Sequence, residues 1–100
     1  MANIINIANK LNNEPVFIAL GEGKQYKVNN EYKTVMKASA LFEDENVNQV
    51  YAMMKALELI LGKTARAEVE NMSIENVKTV FTAVMAAVQG LKYEDVEARF

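Results

Sequence analysis

The stretch Gln25-Tyr26-Lys27-Val28-Asn29-Asn30-Glu31-Tyr32-Lys33-Thr34-Val35-Met36-Lys37-Ala38-Ser39-Ala40-Leu41-Phe42 decides the fold. Its first four residues alternate polar and apolar, the period of two that belongs to a strand with one covered face. After the Asn-Asn pair, Tyr32, Val35, Met36, Leu41 and Phe42 recur at helical spacing. A strand therefore hands over to a helix at residues 29–30. Asn29 or Asn30 is expected to cap that helix, with Glu31 in its first turn complementing the dipole.

Upstream, Val16-Phe17-Ile18-Ala19-Leu20 is a second β-prone run, separated from Gln25 by Gly21-Glu22-Gly23-Lys24. Two short runs joined by four residues with two glycines predict a β-hairpin, and Pro15 fits at a strand's first residue. A lone hairpin is marginal in water, so its apolar face must lie on helices. The Gly-x-Gly is a turn; it lacks the third glycine of a dinucleotide motif and the Gly-Lys-Ser/Thr of a P-loop. Residues 4–11 (Ile4, Ile5, Ile7, Ala8, Leu11) read equally as a short amphipathic helix or a strand.

Downstream, Glu43-Asp44-Glu45 forms a connection, and Asn46 with Gln49 gives a capping-box-like start to a second helix. Val47, Val50, Met54, Leu57 and Leu61 form one stripe of this helix, while Tyr51, Met53, Ala56 and Ile60 widen the apolar arc. A helix apolar on most sides is central in the core or shared with a partner. Gly62 stands where a left-handed C-terminal residue belongs, and Thr64 is placed to cap a short piece through Met72. Ser73 is a good N-cap for a third long helix bearing Ile74, Val77, Val80, Phe81, Val84, Met85 and Val88. Gly90 followed by Leu91 matches a Schellman stop. All four glycines fall at predicted boundaries. The tail places Tyr93, Val96 and Phe100 on one face of a two-turn helix, either packed on its own domain or docked on another chain. The expected fold is mainly α, an α+β chain of three to four helices after a short N-terminal β-hairpin. It forms one domain: residues 1–29 with the hairpin, a helical core over 30–91, and an amphipathic tail over 92–100.

The 100 residues hold one core, with an ordinary globular balance of 51% apolar and 24% charged residues. Eleven basic and 13 acidic residues leave a net charge of −2, and the lysines form no run. That excludes the basic stripe of a nucleic-acid binder and the polybasic cluster of a membrane anchor. Without cysteine or histidine the chain has no zinc ligand set, no Cys- or His-dependent catalysis and no disulfide framework. No secretory leader is expected from residues 1–11, and no apolar run approaches the ~20 residues that cross a bilayer. Glu43, Asp44, Glu45, Asn46 and Asn48 lack the spacing and the sixth-position glycine of a calcium loop, and read as a solvated connection. Glu58, Glu68 and Glu70 can be drawn as paired carboxylates, but near Lys63 and Arg66 they read as a wet, charged face. The expectation is no catalytic residue, no cofactor and no metal. Six methionines, with Met53 and Met54 adjacent on the broad apolar helix, favour self-association or a protein partner, although core filling is the ordinary use of methionine.

One ordered pattern goes further. Ile5-Asn6-Ile7 with Lys10-Leu11, the short strand pair, Tyr26-Lys27-Val28-Asn29, Tyr32-Lys33-Thr34-Val35, Leu41-Phe42-Glu43-Asp44-Glu45 and a long helix ending in Leu61-Gly62 follow one another in the chain. Over about residues 5–90 this resembles the tail assembly chaperones of long-tailed bacteriophages of Gram-positive bacteria. The resemblance implies a mainly helical protein of the infected cell's cytoplasm, absent from the finished virion. It also implies partners: the tape-measure protein, kept soluble while the tail forms, the tail-tube protein, and further copies of the chain as a homo-oligomer. Such a chaperone needs exposed apolar surface and no active site. The residues expected to supply it are Tyr51, Met53, Met54, Ile60, Val84, Met85, Tyr93, Val96 and Phe100. The alternatives are a structural or connector subunit of a tail, which would be β-rich, and a small homo-oligomeric regulatory or interaction protein.

Overall fold

In the computed structural model, which describes residues 3–97, alternation in the N-terminal third produces the expected hairpin. Strands β1 (Phe17–Gly21) and β2 (Lys24–Lys27) pair antiparallel, Ile18 opposite Tyr26 and Gly21 opposite Lys24, with an irregularity between Ala19 and Gly21. Val16, Ile18 and Leu20 with Tyr26 and Val28 turn one way, and Ile18 and Val28 reach the core. The face rests on helices, as a two-stranded sheet must. β1 lies along helix α4 (Ile74–Gln89), and the Asn29 N–H donates to the Ile60 carbonyl at 2.8 Å. That bond ties the exit of the hairpin to the end of helix α2 (Gln49–Leu61).

Helix α1 (Tyr32–Glu43) begins one residue later than the Asn pair predicts. Glu31 occupies the N-cap position without a side-chain cap, and the Asn29 side chain instead accepts the Glu31 N–H. The start of α2 also differs. Asp44 captures the Asn46 N–H at 2.9 Å, so the chain turns once more and Asn48 becomes the cap. The Asn48 Oδ1 accepts the N–H groups of Val50 and Tyr51. The Asp44 and Asn48 side chains of the 44–48 connection are thus turned back onto the backbone.

α2 is the centre of the molecule. It packs against α1, against α3 (Lys63–Val69) and against α4, and its Leu57 side chain is wholly enclosed. The stripe is rotated from the one expected: Ala52, Ala56, Leu57, Ile60 and Leu61 are buried, whereas Val50 and Tyr51 are 42% and 50% exposed. On α1 the buried residues are Thr34 and Ala38, and the larger Tyr32 and Met36 face outward. Alanines and a threonine at these positions let the helices approach closely, so small rather than bulky residues mark the packed faces.

The C-terminal half follows its local signals. Ser73 Oγ accepts the Asn76 N–H at the start of α4. At its end Gly90 is left-handed and the Leu91 N–H returns to the Ala86 carbonyl at 2.9 Å, the Schellman pattern. Thr64 is inside α3 rather than its cap. Helix α5 (Tyr93–Glu97) packs on α4 in the same chain with Val96 buried, so the first turn of the tail docks on its own domain. Phe100 is outside the described residues.

Gly62 differs from the expected left-handed stop. With φ 97° and ψ 170° it caps α2 and immediately starts α3, turning the chain in a single residue. That backbone region is essentially closed to residues with a Cβ, although a Cβ there would meet no atom within 4 Å. Gly62→Ala should therefore lose about 1–3 kcal/mol through backbone strain alone. Gly21→Ala, at ordinary φ, is the control in thermal unfolding, and should leave Tm nearly unchanged.

Candidate functional site

α1 packs on α2, and α1, α2 and α4 leave a trough between them. α1 lines it with Val35, Ala38, Ser39 and Phe42, which share one helical face at i, i+3, i+4 and i+7. The floor on α2 is Gln49, Met53, Ala56 and Ile60, again one face, and α4 supplies Phe81, Met85 and Val88. The trough encloses about 430 Å³. The Phe42 and Phe81 rings meet across it, 5.4 Å between centroids and inclined by 46°. Its polar groups are those of Ser39 and Gln49 beside apolar walls, so it offers apolar contact and almost no hydrogen bonding.

The residues expected to form an interaction surface separate into groups. Met53 and Met85 line the trough half-buried, and Ile60 lies at its floor, 3% exposed. Tyr51 is on the opposite side of α2, in line with Lys55 and Glu58 at i+4 and i+7. Met54 is partly buried against the core outside the trough. Val84 and Val96 are inside, 0% and 2% exposed, and offer no surface in this fold. Tyr93 is half-buried in α5. The α1 wall was not foreseen, although the spacing of Val35, Ala38 and Phe42 carries the signal.

The acidic residues weighed as paired carboxylates are held in ion pairs. Arg66 binds Glu58 of α2 and, 3.1 Å away, Glu70 of its own chain turn, with Lys55 at 3.5 Å from Glu58. Lys24 of β2 reaches Glu68 of α3 at 3.0 Å, strapping the hairpin to that helix. Hydrogen bonding from Arg66 holds the Glu58 carboxyl below its ordinary value; Lys55 adds in the same direction, and desolvation opposes both. A site that favours the carboxylate is the opposite of one that prepares a proton donor. Among the described residues no group of three or more Asp or Glu side chains is arranged to hold a metal ion.

Compared with known proteins, the chain matches no family model, no curated protein and no solved structure.

The Glu58 shift has a definite sign. Its folded value lies below 4.5, so the pair's stabilisation is complete above pH 4.5 and is lost as pH falls through the lower folded value. In thermal melts across that range, the unaltered chain should exceed Glu58→Gln in Tm near neutral pH. The difference should close under acid.

Proposed function

We propose that the protein is a non-enzymatic binding protein whose α1–α2–α4 trough receives an apolar helical segment of a client. The observation that carries this is the trough itself: apolar walls from three helices around about 430 Å³, with two half-buried methionines on facing helices. An amphipathic helix laid in such a groove buries its i, i+3, i+4, i+7 face. Methionine suits the purpose, since its unbranched, polarisable side chain adapts to different apolar surfaces.

The resemblance to tail assembly chaperones supplies the identity of the client. In this reading the chain shields apolar helical stretches of a phage tape-measure protein in the infected cell until tail subunits replace it. The helical fold, with its sheet reduced to one hairpin among the described residues, favours this over a β-rich tail-tube or connector subunit.

Co-expression with the tape-measure protein of the same phage tests the proposal. The client should remain soluble and co-purify. Placing a carboxylate on each methionine wall, Met53→Glu with Met85→Glu, should weaken binding at least tenfold, equivalent to about 1.4 kcal/mol. Tyr51→Glu, on the outward face, should bind as the unaltered chain does. A client equally soluble without the protein, or bound equally well by the double variant, would overturn the reading.

A further inference from the structure

The segment before the hairpin is the least covered part of the molecule. Every described residue from Asn3 to Pro15 is exposed, including Ile4 at 84%, Ile5 at 82%, Ile7 at 52% and Leu11 at 57%. Soluble chains seldom leave four large aliphatic side chains so close together in water without a use. The segment holds one 3₁₀ turn, Ala8–Lys10, with the Asn6 side chain accepting the Ala8 N–H. The radius of gyration is 15.7 Å, against about 13 Å for a compact chain of this length, as befits an arm standing off the core.

Arm and trough are complementary in pattern, size and charge. Ile4, Ile7, Ala8 and Leu11 fall at i, i+3, i+4 and i+7, one face of a helix. From Ile4 to Leu11 such a helix spans about 10 Å, and the trough floor from Gln49 to Ile60 runs about 16 Å. An eight-residue helix is too short to persist alone, which explains why only a turn of it forms until an apolar groove covers it. Lys10 is the single charge between residues 3 and 13. The Phe42–Gln49 end of the trough is flanked by Glu43, Asp44 and Glu45, which outnumber Lys78 on the α4 side of that end.

We propose that the arm of one chain, residues 4–11, docks as a helix in the α1–α2–α4 trough of a second copy, with Lys10 and Leu11 toward the acidic connection. The arm then covers the apolar trough while no client is bound, and a client displaces it. This rests on the trough being a docking site, but not on the identity of the client.

The chain contains no cysteine, so introduced cysteines report on the contact alone. Chains bearing Leu11→Cys and chains bearing Gln49→Cys, mixed and oxidised, should give a mixed disulfide. Its yield should be several-fold above that with Gln25→Cys, on the hairpin, in place of Gln49→Cys. By light scattering the unaltered chain should have at least twice its 11.2 kDa mass. Ile4→Asp, Ile7→Asp and Leu11→Asp together should return it to 11.2 kDa and reduce the helical circular dichroism only by the arm's own two turns, since the arm is outside the core. That variant should bind the tape-measure protein more tightly than the unaltered chain. An 11.2 kDa unaltered chain, an oligomer indifferent to the triple change, or a cross-link formed only when both cysteines are in one chain would overturn the assignment. Any of these with intact client binding would leave the proposed function standing. Loss of client binding in the triple variant, with the oligomer dispersed as expected, would instead count against that function.

Discussion

Burial of helix α2 is the constraint on which the remaining structure depends. Leu57 is wholly enclosed, and Ala52, Ala56, Ile60 and Leu61 are nearly so. Three helices pack on α2, and the hairpin is bonded to its last turn through Asn29 and Ile60. A Leu→Ala change at such a position typically removes about 2–5 kcal/mol, a large part of the ~5–15 kcal/mol that holds a domain folded. Gly62 then lets the chain turn at once into α3, so Ala65 and Val69 can close the same core. The Arg66–Glu58 pair spans that turn, where ion pairing adds modestly to what burial has already fixed.

The same packing creates the trough. α1 is held to α2 through small residues and meets α4 through the Phe42–Phe81 contact, so the walls of the trough are core-facing residues left without a final layer. Apolar surface arranged this way is suited to binding: the trough's own polar groups are a hydroxyl and an amide. The exposed isoleucines of the N-terminal arm have the complementary pattern. In the proposed reading, recognition by apolar fit connects client binding with self-association, because one groove would accept either helix in turn.

Local signals were legible in the sequence. The β-prone run Val16–Leu20 and the alternation at Gln25–Val28 produced the hairpin, Ser73 and Gly90 bounded α4, and the fold class followed from these elements. Where two local bonds compete, the pattern misleads. Asn46 and Asn48 are both plausible caps, and the choice falls to Asn48 because Asp44 takes the Asn46 N–H. The orientation of α2 was illegible for another reason: a helix apolar on most sides fits its neighbours in several rotations. Close approach over Ala52 and Ala56 decided the matter, leaving Tyr51 outside. Met53, Ile60 and Met85 were foreseen as interaction residues and do line one trough. The α1 wall was missed because its bulkier Tyr32 and Met36 drew the reading toward the opposite face.

The central claim is that the trough, and no other surface, takes an apolar helix. Methyl NMR of methionine-labelled protein during titration with a helical tape-measure segment addresses it most directly, since Met53 and Met85 line the trough while Met36 and Met72 stand outside it. The Met53 and Met85 methyl signals should shift together and saturate, with Met36 and Met72 unmoved. Shifts confined to Met36 or Met72, or binding without change at Met53 and Met85, would contradict it.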